Sequence, residues 1–207
     1  MKNVLKYAVI TAGLAAIFTS GTPVYAADAT TSSTTTAAFT ATPGTLTLDA
    51  VPNLNFGQLS VAQLISGDVT QTLQDGDVAD ASGDGTSDLK VQVTDTRGVN
   101  SGWQLSDTVG TFTLKGDSAV KLNVKRLTIS GVTTSTTGDK ANAFNTASSL
   151  TDGPTVWCAD ETNAGTGTNT AQINAGGASV VIGQTSQIRS GVYDAPVTWE
   201  LTAGPQN

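Results

Sequence analysis

Apolar and polar residues alternate along many short stretches of this chain. Leu46 and Leu48 flank a threonine, and Val91 and Val93 flank a glutamine. Because successive side chains of a strand point to opposite faces, this alternation predicts strands that bury one face. The predicted strands cover residues 45–50, 89–94, 111–114, 120–129, 171–173, 179–182 and 196–201. Turn-forming residues separate them, which predicts an all-β fold with a single antiparallel β-sandwich domain over residues 44–207.

Three segments depart from the alternation. Residues 75–88 are acidic and glycine-rich, and residues 131–153 are mostly threonine, serine and asparagine, with Phe144 as the one large apolar residue. Loops of this length are usually functional or mobile, so both segments are predicted to be long surface loops. Residues 60–65 give the only predicted helical turn.

The N-terminal residues have the pattern of a secretory signal. Two lysines precede an apolar run at residues 7–18, and Val24-Tyr25-Ala26 fits the small-residue rule for cleavage. The run is shorter than the roughly 20 residues that cross a bilayer, so we expect a signal peptide at residues 1–26 and no membrane span. Residues 27–43 are rich in threonine, serine and alanine, which predicts a disordered flexible linker.

The charge of the chain limits its partners. The net charge is −7, and removal of the signal peptide leaves eight basic against 17 acidic residues. Nucleic acids and anionic membranes need a concentrated basic surface, so neither is an expected partner. The one basic cluster comprises Lys115, Lys121, Lys125 and Arg126. It is interpreted either as the solvated outer face of a sheet or as a contact patch for an anionic polymer such as teichoic acid.

The side chains that usually carry catalysis are scarce. The chain has no histidine, which removes histidine-based triads and zinc sites. Its single cysteine, Cys158, cannot form an internal disulfide, and is interpreted as a small buried residue beside Trp157 or as a site of intermolecular pairing. Glu161 and Glu200 are the only glutamates, and no pair of carboxylates has a recognisable placement for glycoside hydrolysis. We therefore predict no enzyme, no cofactor and no catalytic residue.

One acidic segment is similar to a calcium loop. Between Asp80 and Asp88, oxygen-bearing side chains stand at positions 1, 3, 5 and 9, and Gly85 stands at position 6. Position 12 is Val91 instead of a bidentate glutamate, and no helices are predicted on either side. A solvated acidic hairpin is the alternative interpretation, and we predict no metal site.

A short pattern occurs twice in strand-like sequence. Gly102-Trp103-Gln104-Leu105 and Thr198-Trp199-Glu200-Leu201 both separate a tryptophan and a leucine by one polar residue. In a strand, the tryptophan and the leucine share one face and the polar residue points to the other. Both copies therefore predict the same amphipathic unit.

These motifs, together with a third segment, resemble the WxL-domain surface proteins of low-GC Gram-positive bacteria. The first segment reads Leu-Asp-Ala-Val-Pro-Asn-Leu-Asn-Phe-Gly at residues 48–57. The proximal motif covers residues 95–105 and the terminal motif residues 198–205. A lone Trp-x-Leu tripeptide has little specificity, but three segments in this order after a signal peptide are specific. The resemblance spans about residues 46–205.

The resemblance implies a secreted protein that attaches non-covalently to the cell wall. Its expected partner is peptidoglycan or another wall polymer, with other surface proteins of the same assembly as further partners. No covalent anchor motif is expected from the last residues. The alternative is an interaction subunit that a protein partner holds at the wall, with little wall affinity of its own; an enzyme acting on wall polymer is a third, weaker option.

The candidate residues for wall binding or motif function are Trp103, Leu105, Trp199, Leu201, Asp95 and Arg97. The two tryptophans suit a sandwich core, because one buried aromatic removes on the order of 150–250 Å² from water. They equally suit an exposed platform on which sugar rings stack. Asp95 and Arg97 suit a local salt bridge, or a contact of Arg97 with a carboxylate of a wall peptide, for which its planar fork is shaped.

Overall fold

The computed structural model describes residues 32–76, 78, 84–146, 149, 151 and 154–204. The predicted signal peptide and residues 27–31 of the predicted linker lie outside these residues, as does the first half of the predicted calcium loop. The chain divides into two compact units, Met1–Thr40 and Ala41–Asn207. In the first unit, residues 32–40 have no regular secondary structure, and Phe39 is 94% exposed.

The second unit consists of short strands and one short helix. The strands are β1 (Leu46–Ala50), β2 (Val69–Thr72), β3 (Lys90–Asp95), β4 (Trp103–Val109), β5 (Thr113–Leu114), β6 (Asp117–Lys121), β7 (Val124–Ile129), β8 (Val132–Thr136), β9 (Thr155–Ala159), β10 (Gly167–Ile173), β11 (Ala178–Ile182), β12 (Tyr193–Asp194) and β13 (Val197–Ala203). The helix is α1 (Val61–Ser66).

The strands form four antiparallel sheets. Their orders are β1-β3-β10-β8, β2-β11-β7, β12-β5-β6 and β13-β4-β9. The sheets pack around one apolar core, to which strands from at least three of them contribute. The fold is therefore nearly all β and sandwich-like, which confirms the predicted fold class.

Alternation determines which side chains enter the core. On β3 the burial alternates at every residue, and Val91 and Val93 are fully buried. The helical turn also forms where it was predicted, because the Ser60 side chain accepts a hydrogen bond from the backbone of Gln63 and the Gln63 side chain bonds back to Ser60. Its buried residue is Leu64.

The predicted strand over residues 120–129 is wrong in one respect, because it is two strands. The backbone N–H of Leu122 bonds to Phe112, while the carbonyl of Asn123 accepts a bond from Gly183. These adjacent residues thus bond to different partners, and β6 and β7 belong to different sheets. Lys121 and Lys125 consequently do not share a strand face, and Lys125 forms an exposed ion pair with Asp68.

The predicted loop over residues 131–153 begins with a strand. β8 pairs with β10 at the edge of its sheet, and four of its five residues are exposed. Its threonines look like loop residues in composition, but they are β-branched and favour strands. Phe144 is buried, with its ring centroid 5.9 Å from that of Trp157.

Cys158 is not the buried residue that one interpretation expected. It lies half-buried on β9, and its Sγ is 3.4 Å from Nδ2 of Asn142. Trp157 and Ala159, the neighbours of Cys158 on β9, are buried, so the side chain of Cys158 points to the opposite, outer face of the strand.

Candidate functional site

The two Trp-x-Leu motifs lie side by side, although about a hundred residues separate them in sequence. The proximal motif begins β4 and the terminal motif lies in β13, and these two strands pair directly. Leu105 stands opposite Leu201, and Asp107 stands opposite Trp199. Opposite residues of an antiparallel pair share a face, so both motifs direct their tryptophan and leucine to the same side of one sheet.

The proximal motif is part of the core. Trp103 and Leu105 are 0% exposed. The Trp103 ring meets Trp157 edge to face at 5.2 Å between centroids, and its Nε1–H donates to the carbonyl of Gly165 at 3.3 Å. A wall polymer cannot reach these side chains in the folded protein, and the core alternative describes them.

Gly102 allows β4 to approach β9 closely. Its φ is +64°, and a Cβ at this position would lie 2.1 Å from the carbonyl oxygen of Ala159. Both the left-handed backbone and this contact require glycine. The glycine before Trp103 thus belongs to the packing of the motif.

Asp95 and Arg97 form the predicted local salt bridge. Nε and one terminal nitrogen of Arg97 contact the two carboxylate oxygens of Asp95 at 2.9 and 2.7 Å, and the same terminal nitrogen donates to the carbonyl of Gly102 at 2.7 Å. Burial raises the pKa of Asp95, but the hydrogen bonds from Arg97 outweigh it and hold the pKa below 3.8. This ion pair connects the end of β3 to the start of the proximal motif. A contact of Arg97 with a wall peptide stays a prediction.

The terminal motif is only half-buried. Trp199 and Leu201 pack against the core from β13, which is the edge strand of its sheet, and Glu200 is exposed on the opposite face. Trp199 is therefore the accessible tryptophan of the two motifs.

The hydrogen bonds of β13 show which backbone groups face its free edge. Pro196 and Gly204 bond through their backbones to Gly110 and Gly102 of the β4 side. Hydrogen-bonded and non-bonded pairs alternate along an antiparallel ladder, so the even-numbered residues of β13 bond to β4. The N–H and C=O groups of Val197, Trp199 and Leu201 consequently point to the free edge, and no described residue bonds to them.

A cavity of about 640 Å³ lies along this edge. One wall comes from residues 48–56, which include the end of β1, and the other from residues 193–199. In the strand parts of the two walls, residues 48–50 and 197–199, consecutive residues all line the cavity. Consecutive side chains of a strand point to opposite faces of the sheet, so the cavity runs beside the strand edges and not over one sheet face. We call it the β1–β13 groove. Its aromatic lining residues are Phe56, Phe112, Tyr193 and Trp199.

The charged residues along the groove are all acidic among the described residues. Asp49, Asp84 and Asp194 line it, and no lysine or arginine of the described part does. The Asp49 carboxylate already accepts hydrogen bonds from Thr47, Thr94 and Gln92. Asp84 and Asp194 are exposed. Its described lining therefore offers aromatic surface and hydrogen-bond acceptors but no cation for an anionic ligand.

Asp107 is a buried carboxyl group on β4, opposite Trp199. It is 1% exposed, and neither of its carboxylate oxygens has a hydrogen-bond partner in another described residue. Burial raises its pKa from 3.8 to about 7, and its own backbone N–H offsets only part of this shift. It stands opposite Trp199 in a non-bonded pair, where side chains approach most closely.

The sequence did not identify most of these groove residues as functional. Phe56 lies in the first segment of the family resemblance and Phe112 in the predicted strand over residues 111–114, but neither pattern marks the aromatic ring as a contact residue. Tyr193 lies in a strand of two residues that the sequence does not predict. Asp107 had a usable signal, because it continues the inward face of Trp103 and Leu105 at the next alternate position.

No group of three potential metal-ligating side chains occurs in the described part of the chain, and none of the helices found there is long and apolar enough to cross a membrane. The fold and the groove together define an all-β domain with an accessible groove along a strand edge.

The chain belongs to the WxL family. The family model described as WxL domain, surface cell wall-binding, matches residues 19–205. No curated protein and no solved structure matches the chain. The protein is thus a cell-wall-attaching surface protein of a family of non-catalytic binding domains, and the match confirms the resemblance found in the sequence.

Proposed function

We propose that this protein is secreted and attaches non-covalently to peptidoglycan through its β-sandwich domain, with the β1–β13 groove as the contact surface. The observation that supports this most is the origin of the groove walls. Two of the three segments that define the family resemblance contribute to the walls: the first segment supplies one wall, and the terminal motif adds Thr198 and Trp199 to the other. The third, the proximal motif, supports them from the core.

Accessibility supports the same choice of surface. A polymer that is itself a large network can contact only exposed or half-exposed groups. Trp199 meets this condition and Trp103 does not. The basic cluster is a weaker candidate, because Lys121 lies on β6 while Lys125 and Arg126 lie on β7 of another sheet, and Lys125 is already paired with Asp68.

The test is sedimentation of the full chain with purified sacculi that carry no protein and no teichoic acid. The folded protein should sediment with the sacculi, and Trp199→Ala should weaken this binding. Phe39→Ala is the matched control, because Phe39 is an exposed aromatic outside the domain and its loss should leave binding unchanged. A folded wild-type protein that stays in the supernatant would contradict the proposal.

A second candidate function has one specific observation in its favour. The free edge of β13 is a template to which an extended segment of another protein can add as a strand. In this case a partner would hold the protein at the wall. Binding to whole cells that disappears when surface proteins are stripped, with no binding to bare sacculi, would support this function over the first.

A further inference from the structure

We infer that the β1–β13 groove recognises the glycan part of the wall polymer, as a strand of N-acetylated amino sugars, and not its peptides or any phosphate-bearing polymer. This inference rests on the proposed function and adds the ligand class. Three features of the groove carry it: its aromatic lining, the sign of its charges, and the free backbone groups along one wall.

The aromatic lining suits sugar rings. Phe56, Phe112, Tyr193 and Trp199 line the groove and none of them is fully buried. The C–H faces of a pyranose ring are apolar and pack on aromatic rings, while its hydroxyl groups remain at the rim. The volume of the groove, about 640 Å³, is in the range of small-molecule sites and accommodates a few sugar units of a glycan strand.

The charges argue against the anionic components of a wall. Peptide stems carry carboxylates and teichoic acids carry phosphates, and both anions form their strongest hydrogen bonds with cationic side chains. The charged lining residues of the described chain are carboxylates only. Carboxylates accept hydrogen bonds from sugar hydroxyl groups, and Asp84 and Asp194 are exposed and face no basic partner among the described ion pairs.

The free edge of β13 offers hydrogen-bonding groups for the N-acetyl group of an amino sugar. The backbone N–H and C=O of Val197 and Trp199 point away from β4, and both residues line the groove. An acetamido group is itself an amide, with one donor and one acceptor. It can pair with these groups as a neighbouring strand would, while its sugar ring packs on the indole of Trp199.

The experiment is a titration of the full chain with three soluble probes, followed by tryptophan fluorescence and calorimetry. The probes are a β-1,4-linked N-acetylglucosamine oligomer, the corresponding glucose oligomer, and a free peptidoglycan stem peptide. The N-acetylated oligomer should bind, compete with sacculi, and bind at least about tenfold more tightly than the glucose oligomer, which corresponds to about 1.4 kcal/mol. Its affinity should be nearly independent of salt, because no ion pair is formed.

Substitutions at two residues of the groove test the location. Trp199→Ala should lower the affinity for the N-acetylated oligomer about tenfold, and Trp199→Phe should retain most of it. Asp194→Ala changes an exposed residue that no core contact needs, so it should weaken binding severalfold in a protein of unchanged near-UV spectrum. Phe39→Ala should have no effect.

Several outcomes would overturn the inference. These are equal affinity for the two oligomers, loss of binding at high salt, competition by the stem peptide, or full affinity in both Trp199→Ala and Asp194→Ala. If sacculi bind but the N-acetylated oligomer does not, the inference fails and the proposed function stands. If folded protein binds no sacculi at all, the proposed function fails as well.

Discussion

The two Trp-x-Leu motifs have the same sequence pattern and lie in paired strands, yet they occupy different environments. The proximal motif lies in β4, which has a neighbour on each side, and its tryptophan is 0% exposed. The terminal motif lies in β13, which has one neighbour, and its tryptophan is half-buried and lines the groove.

Position in the sheet, and not the motif itself, therefore decides what each tryptophan does. A central strand is covered on both edges, so its inward side chains become core. An edge strand leaves backbone groups and part of its inward side chains accessible. The repeated motif accordingly supplies one anchor for the fold and one surface for contact.

The largest expected effect is on the proximal tryptophan. Trp103→Ala removes a fully buried ring that packs on Trp157 and bonds to Gly165, so the free energy of unfolding should fall by about 3–5 kcal/mol. Trp199→Ala removes a half-buried ring at an edge and should cost about 1–2 kcal/mol. Urea unfolding of both variants measures the difference. Equal losses in the free energy of unfolding would show that the two tryptophans contribute equally to stability, despite their different burial.

A smaller effect is expected at the ion pair that joins β3 to the proximal motif. Arg97→Ala leaves the buried carboxylate of Asp95 without its bidentate partner, and should cost about 3 kcal/mol. Lys125→Ala is the matched control, because it breaks an exposed pair with Asp68 and should cost less than about 1 kcal/mol. A loss at Arg97 no larger than at Lys125 would show that Asp95 does not need this partner.

The sequence allowed the fold class, the helical turn and the shared face of tryptophan and leucine in each motif to be predicted, because these patterns are local. The environment of each motif was not predictable, because strand order places β4 between β9 and β13, and this order depends on long-range pairing. β8 and the groove were missed for related reasons. β8 becomes a strand only by pairing with β10, and the groove walls come from residues about 140 positions apart.

The smallest effect concerns Asp107, the buried residue that faces the terminal motif. Its pKa is about 7 in the folded protein, because burial disfavours the charged form, and near 3.9 in the unfolded chain. Between about pH 4 and pH 7 the folded state therefore holds a proton that the unfolded state has lost. Stability from this group is fully present below pH 4 and declines as the pH rises to about 7.

Asp107→Asn replaces the carboxyl group by a neutral group of the same shape and removes this decline. The difference between the folded and unfolded pKa values limits the gain in the free energy of unfolding to about 4 kcal/mol, and relaxation of the protein around the charge reduces this gain. We therefore expect the variant to be about 1–2 kcal/mol more stable than the wild type at pH 8 and equal to it at pH 4. Urea unfolding across this range measures it. The pKa values of Asp95 and Asp49 are lowered in the folded protein, so these groups reduce stability only as the pH falls through the acidic range. They therefore do not mask the loss of stability that Asp107 causes as the pH rises.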